Sequence, residues 1–235
     1  MSRCLVISGA TKGIGRSIAM KFAAEGYSVA TCSRNQDDLD NFLLEMNKLN
    51  SKGSHLAVKA DLRKKSDCNS FGKACLDSFS EISVLVNNAG VFLPGNVLSE
   101  EDGTLEKLIE TNLYSAYYLT RSIAERMIEN KRGHIFNISS VAGIQAYEHG
   151  GSYSISKFAM QGLGKVLRKE LMQHNISVTN LVPGATYTDS WSSAGIDRDR
   201  FMEPEDLAKI IFTISQLPAR TVVEEVILRP MKGDI

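Results

Sequence analysis

The chain has 235 residues, with 27 Lys and Arg against 27 Asp and Glu, 43% hydrophobic residues, 18 Gly and 5 Pro. At about 100–200 residues per domain this is one large unit or two small ones, long enough to bury about 70% of its unfolded surface, and its ordinary composition excludes disorder, collagen and coiled coil. A formal net charge of zero removes any general attraction to nucleic acid or anionic membranes.

Short apolar runs alternate with helix-period segments from one end to the other. A strand over Arg3–Ser8 leads to a helix over Gly15–Glu25, a strand over Tyr27–Ser33 to a helix over Gln36–Leu49, and a strand over His55–Ala60 to a helix over Ser66–Phe79. The pattern continues with strand Ile82–Asn87 and helix Thr104–Glu129, strand Gly133–Ser139 and helix Ser152–His174, then strand Ile176–Val182, helix Glu205–Ser215 and strand Val222–Leu228. Several strands are rich in Val, Ile and Leu without strict alternation, the mark of strands covered on both faces. Such βα alternation predicts right-handed crossovers and a single doubly wound α/β domain over residues 1–235, with seven mostly parallel strands and helices on both faces. The irregular segments Gly143–Gly151 and Pro183–Met202 follow strands, which places them at the carboxyl edge where such sheets bind ligands. The four cysteines Cys4, Cys32, Cys68 and Cys75 lack metal-type spacing, no apolar run approaches a membrane span, and the first residues run straight into a strand. The expectation is a cytoplasmic protein with reduced thiols, no signal peptide, no membrane and no metal.

The first strand ends in Ser8-Gly9-Ala10-Thr11-Lys12-Gly13-Ile14-Gly15 with a helix directly behind it. Glycines there allow a sharp turn and let backbone N–H groups approach a pyrophosphate at the helix N-terminus. The spacing is G-x-x-x-G-x-G, which differs from the usual dinucleotide fingerprint, and a turn serving only strand–helix packing is the competing reading. The second strand ends in Thr31-Cys32-Ser33-Arg34-Asn35, with no acid before Asp37. An acid at that place would bind the ribose 2′-hydroxyl of NAD, whereas a basic residue accommodates the 2′-phosphate of NADP. Arg34, stacked on adenine and paired with that phosphate, and Lys12 in the loop therefore point to NADP(H). The alternative leaves both as solvated cations. Asp37 and Asp38 read as favourable charges in the first turn of the following helix.

Tyr153-Ser154-Ile155-Ser156-Lys157 puts a phenol and an ammonium four residues apart on one helix face, and Ser140 ends a strand thirteen residues before the phenol. Together with the glycine loop, Asn87-Asn88-Ala89-Gly90 and Asn112, this order resembles the classical short-chain dehydrogenases/reductases over essentially the whole chain, and with them a Rossmann fold. The resemblance implies that Tyr153 is the acid/base, that Lys157 contacts the nicotinamide ribose and lowers the phenol pKa, that Ser140 polarises the carbonyl, and that Asn112 supports a water relay. It implies further that Gly9, Thr11, Lys12, Gly13, Ile14, Gly15 and Arg34 line the cofactor. Asp61, with Leu62, would reach the adenine. Asn88, with Ala89 and Gly90, would hold the adenosine ribose, and Pro183, Gly184, Thr186 and Thr188 would flank the nicotinamide. The chemistry is coherent: hydride passes to a carbonyl carbon, Tyr153 protonates the oxygen, and Ser140 bonds the developing alkoxide.

Strand alternation turns Ser139 and Ser140 opposite ways, and the S-x-x-G spacing to Gly143 selects Ser140, leaving Ser139 to pack on a neighbouring loop. His149 lies between Ser140 and Tyr153 as a solvated loop residue or a substrate contact, while His55, His134 and His174 show no ligand pattern. Arg63-Lys64-Lys65 reads as a solvated turn ahead of a helix cap at Ser66-Asp67. Tyr114, Tyr117 and Tyr118 read as a core or subunit contact, and the family resemblance implies a homodimer or homotetramer. The segment Thr188–Gly195 reads as the substrate-closing loop, in which Trp191 either covers a flat heterocycle or acyl chain or closes as a lid over any ligand. The ending over Arg220–Ile235 departs from the usual acyl-carrier-protein reductase tail and, with Tyr187-Thr188 and Trp191 before it, looks like the bacterial sepiapterin-reductase-like branch, an ending that uncharacterised 3-oxoacyl reductase relatives also resemble. The expected activity is NADPH-dependent reduction of a small ketone or diketone with a sepiapterin-like side chain. The alternatives are a 3-oxoacyl-thioester reductase and, from another class, a non-catalytic NADP(H)-sensing protein. The intact Ser140, Tyr153, Lys157 and Asn112 speak against the last.

Overall fold

The computed structural model describes residues 3–191 and 195–235. Met1 and Ser2, and Ser192–Ala194 of the expected substrate loop, lie outside them. Seven strands form one sheet: β1 (Cys4–Ser8), β2 (Ser28–Ser33), β3 (Leu56–Lys59), β4 (Val84–Asn87), β5 (Gly133–Ile138), β6 (Ile176–Pro183) and β7 (Glu225–Leu228). Their order is β3-β2-β1-β4-β5-β6-β7 and every neighbouring pair is parallel. The chain crosses from the β1–β3 half to the β4–β7 half between β1 and β4, so the loops after these two strands face each other over a crevice.

Among the described residues seven α-helices flank the sheet: α1 (Gly13–Ala24), α2 (Gln36–Leu49), α3 (Lys65–Ser78), α4 (Thr104–Ile109), α5 (Ser115–Asn130), α6 (Gly151–Leu171) and α7 (Pro204–Ser215). Alternate residues of each central strand enter two separate cores. Leu5, Ile7, Val29, Val86 and Phe136 pack with Phe22 of α1, Phe42 and Met46 of α2, and Leu207 and Ile211 of α7. Cys4, Val6, Leu85, Ile135 and Val178 pack on the other face with Phe71 and Cys75 of α3, Ile123 and Met127 of α5, and Leu171 of α6. Burial on both faces explains the unbroken apolar runs. All four thiols are buried and unpaired. No helix among the described residues is long and apolar enough to cross a membrane.

Beyond shifts at element ends, the largest at β7, which begins at Glu225 and not Val222, two features differ from the sequence expectation. The helix expected over Thr104–Glu129 is interrupted by a π-helical turn at Glu110–Tyr114. The wider turn frees backbone carbonyls, and those of Lys107 and Thr111 accept the hydroxyls of Thr111 (2.7 Å) and Ser115 (2.6 Å). Helix α3 begins at Lys65, with Lys64 before it making no side-chain cap. Asp67, expected as part of the cap, instead accepts the Asp61 N–H at 3.0 Å and holds the β3–α3 turn.

A polar row also crosses the sheet. Asn87, Asn137, Asn180 and Glu225 stand in register on β4, β5, β6 and β7. Asn87 donates to Asn137 at 2.9 Å, Asn137 to Asn180 at 3.1 Å, and Asn180 to the Gln161 carbonyl of α6 at 3.2 Å. Each amide thereby donates to the next element, while Asn87 Oδ1, at the start of the row, is left without a hydrogen-bond partner among the described residues.

Candidate active site

The loop after β1 is shaped for close backbone approach. Gly9 (φ +68°) and Gly13 (φ +58°) occupy left-handed conformations, and a Cβ on Gly15 would stand 2.4 Å from the Gly9 carbonyl oxygen. Two side chains lock this turn to the loop after β4. Ser8 Oγ accepts the N–H groups of Asn88 and Ala89, both at 2.9 Å, and Asn88 Nδ2 donates to the carbonyls of Ser8 and Gly9, both at 2.9 Å. Thr31 Oγ1 takes the Ala10 N–H at 3.1 Å. Helix α1 starts behind the turn with Lys12 making no side-chain cap and no acid in its first turn. Its uncapped N–H groups and positive dipole end suit an anionic phosphate, so the cradle fits a dinucleotide.

The remaining sequence-named cofactor residues gather on the same edge. Lys12 and Arg34 are exposed, Thr11 half-buried, and Ile14 packs partly into the core. Asn35 caps α2 by accepting the Asp37 N–H at 2.8 Å, with Asp37 and Asp38 in the first turn as expected. Asp61 is engaged by its own neighbour. The Arg63 guanidinium bonds both its oxygens and holds the carboxyl down to about 2, with Arg34 adding a smaller pull in the same direction. Leu62 turns inward and its carbonyl accepts the Cys68 thiol at 3.2 Å. Pro183 ends β6, the Gly184 N–H bonds the Leu228 carbonyl at 2.7 Å, and buried Thr186 donates to the Gly184 carbonyl at 3.1 Å. A Cβ on Gly13 would stand 3.3 Å from Thr188 Cγ2, so the loops after β1 and β6 meet here.

Ser140, Tyr153, Lys157 and Asn112 converge beside this edge. Lys157 is buried and donates from Nζ to the Ile138 carbonyl at 3.0 Å, with its ammonium 5.8 Å from the Tyr153 ring centre. Burial lowers the Lys157 pKa to about 8. Burial likewise pushes the Tyr153 phenol up to about 12, the Ser140 hydroxyl pulling the other way through its hydrogen bond and Tyr147 adding a further rise. Asn112, fully buried in the π turn, accepts the Val91 N–H at 2.8 Å and donates to the Val91 carbonyl at 3.1 Å and to Ser156 Oγ at 2.9 Å. It ties the loop after β4 to α6. A Cβ on Gly90 would stand 3.5 Å from Lys157 Nζ.

Both serines lie beyond the end of β5 and both reach α6, Ser140 at Tyr153 and Ser139 at a backbone carbonyl, so Ser139 packs on a helix and not on a loop. Its Oγ donates to the Lys157 carbonyl of α6 at 3.3 Å. A Cβ on Gly143 would meet that carbonyl oxygen and Ser139 Oγ, each at 2.7 Å. The serine–glycine spacing thus lets the turn after β5 press against α6 beside the lysine.

One residue passed over in the sequence faces the phenol. Phe92, two positions beyond Gly90 and 40% exposed, meets Tyr153 edge-on with ring centres 4.9 Å apart. Trp191 lies nearly parallel to Phe92, at 6.3 Å and 23°, and continues to Phe201 at 5.2 Å. Only adjacency to the Asn-Ala-Gly segment could have pointed to Phe92. His149 is exposed, with a left-handed φ of +61°, and its carbonyl accepts the Gly95 N–H at 2.9 Å. Tyr114 and Tyr117 are half-exposed and so do not belong to the core.

Known proteins resemble this chain in sequence and in fold. A family model for short chain dehydrogenases matches residues 3–199. The chain is 35% identical to a sepiapterin reductase of Chlorobaculum tepidum, over 100% of this chain and 99% of that protein. Among solved structures it superposes on a metagenomic short-chain oxidoreductase in complex with NADP (TM-score 0.83, 31% identity, 97% of both chains). It also superposes on a β-ketoacyl-acyl-carrier-protein reductase of Bacteroides thetaiotaomicron (TM-score 0.86, 26% identity, 99% of this chain and 98% of the other). With one family model matching most of the sequence and a relative alike along its full length, the chain belongs to the short-chain dehydrogenase/reductase family and is one of its oxidoreductases.

Proposed function

We propose that residues 1–235 form a single domain working in the reducing cytoplasm as an NADPH-dependent carbonyl reductase, with a flat heteroaromatic ketone of the sepiapterin kind as substrate. The observation that carries the substrate half is the near-parallel Phe92–Trp191 pair beside Tyr153, at 6.3 Å and 23°. With Phe92 edge-on to Tyr153, the two rings form an aromatic wall beside the phenol that suits a flat heterocycle presenting its side-chain carbonyl to Tyr153. The full-length likeness to a sepiapterin reductase supports the same choice. For the cofactor, exposed Arg34 and Lys12 with no acid at the end of β2 favour the 2′-phosphate, and the metagenomic relative was solved with NADP.

When bound, the cofactor supplies hydride from nicotinamide C4. Tyr153 delivers the proton to the carbonyl oxygen, completing the alcohol. With its phenol near 12 it holds that proton at neutral pH, the form that reduction consumes. Lys157, near 8, is cationic at pH 7 and stabilises the phenolate left behind. Ser140 donates to the same substrate oxygen. Asn112 keeps the loop after β4 against α6, so that Phe92 and Tyr153 keep their spacing. Tyr114, Tyr117 and Phe158, exposed on the π turn, α5 and α6, form the face through which two or four copies associate, testable by light scattering on the eluting protein.

The experiment is NADPH consumption with sepiapterin and an acetoacetyl thioester side by side, with NADH as cofactor control. Turnover of sepiapterin with NADPH, falling about a thousandfold in Tyr153→Phe while NADPH binding persists, is the expected result. Turnover of the thioester alone moves the assignment to 3-oxoacyl reduction. Absence of NADPH binding overturns the cofactor reading.

A further inference from the structure

Helix α6 carries Tyr153 and Lys157, yet its own start is bare. Gly150 precedes it without a side-chain cap, and no acid stands in its first turn. The unmet N–H groups and positive end of such a helix call for an acceptor. Glu100 provides one from 52 residues away in the loop after β4: its Oε2 accepts the Ser152 N–H at 3.4 Å, and its Oε1 accepts the hydroxyl of buried Ser152. No cation pairs with Glu100 among the described ion pairs.

Glycines make room for this contact. A Cβ on Gly151 would meet the Gly95 carbonyl oxygen at 2.4 Å and Glu100 Oε2 at 3.0 Å, and one on Gly95 would stand 3.2 Å from the same carboxylate oxygen. A tight turn, in which the N–H groups of Ser99 (2.8 Å) and Glu100 (2.9 Å) share the Asn96 carbonyl, aims the carboxylate. At the other end of the same loop Asn112 clamps Val91. Phe92 is held between these two fixed points, with its ring on Tyr153.

We infer that Glu100 is a positioning residue for the substrate: its carboxylate clasps the Phe92-bearing loop to the first turn of α6 and so sets the distance between Phe92 and the acid/base Tyr153. It acts through Phe92 and touches neither cofactor nor reacting atoms. The kinetic part rests on the reductase reading above; the spectroscopic part does not.

The test uses the full chain with Glu100→Ala, Glu100→Asp and Ser152→Ala, and Phe92→Ala alone and combined with Glu100→Ala. Loss of one hydrogen bond to a charged group corresponds to about a tenfold change, so Glu100→Ala raises KM for sepiapterin about tenfold. Its kcat falls far less and its NADPH affinity is unchanged. Glu100→Asp recovers part of the loss, Ser152→Ala moves KM the same way, and in the Phe92→Ala background Glu100→Ala adds little. Trp191, the sole tryptophan of the sequence and the stacking partner of Phe92, gives a readout without turnover. Its emission becomes more accessible to acrylamide in Glu100→Ala, and in Ser152→Ala if the first variant does not fold. An unchanged KM with unchanged quenching, or additive effects of the Phe92 and Glu100 replacements, overturns the inference. If the wild type reduces no ketone while the quenching shift is present, the reductase reading fails and the clasp stands.

Discussion

Burial moves the two ionisable groups of the site toward their uncharged forms, Lys157 down to about 8 and Tyr153 up to about 12. Reduction needs the phenol protonated and the ammonium charged, so the lysine sets the limit first. The profile of kcat/KM for NADPH-driven reduction is expected to be level near neutrality and to fall as pH rises through about 8, measured with substrate well below KM. A fall beginning only near 12 would mean that Lys157 is not needed as a cation. At this scale Ser140, Tyr153, Lys157 and Asn112 were legible because their order and spacing are carried by the chain itself. Phe92, Ser8, Thr31 and Glu100 were not. Each is an ordinary residue whose importance arises only when loops distant in sequence meet, as when Asn88 and Ser8 pin two loops together.

Among the elements, α6 is the one whose position decides the chemistry, and Gly143 is where it is approached most closely. A Cβ there would stand 2.7 Å from both the Lys157 carbonyl oxygen and Ser139 Oγ. Gly143→Ala is therefore expected to displace the first turns of α6, lowering kcat about a hundredfold, the cost of a misplacement of about 1 Å. Overpacking should lower stability by only about 1–3 kcal/mol, and NADPH binding should persist because the cradle lies on β1 and α1. Steady-state kinetics with a urea titration check both parts. The central strands and the helices were legible almost to their ends, since each central strand buries two faces and each helix one, whereas the partly exposed edge strand β7 starts three residues later than its apolar run. The π turn at Glu110–Tyr114 was not, because the helical period of the residues around it is unbroken. What widens the turn is the demand of Asn112 for partners on Val91 and Ser156, and that demand belongs to the fold and not to the segment.

For the molecule as a whole, the sheet interior also titrates. His134 of β5 stacks on Phe136 at 4.0 Å and lies 2.7 Å from Thr179 Oγ1, and burial holds its pKa down to about 3. A depressed histidine contributes stability that is fully present above about 6.5, its unfolded value, and is lost as pH falls toward 3. Urea unfolding at pH 7.5 and pH 4.5 is expected to show His134→Gln losing about 3 kcal/mol less than the wild type over that interval. Equal losses would refute the assignment. The parallel, doubly wound sheet followed from βα alternation, whereas its strand order and the row of asparagines joining β4, β5 and β6 could be seen only in the folded chain. That division of labour has a consequence for descent. Under the proposed mechanism the groups that handle the proton sit at the end of β5 and on α6, while the aromatic pair beside them comes from two connecting loops, at Phe92 and Trp191. On that reading a lineage built on this chain exchanges its substrate by replacements at those two positions and inherits its acid/base residues unaltered, so its preferences are free to diverge faster than its chemistry.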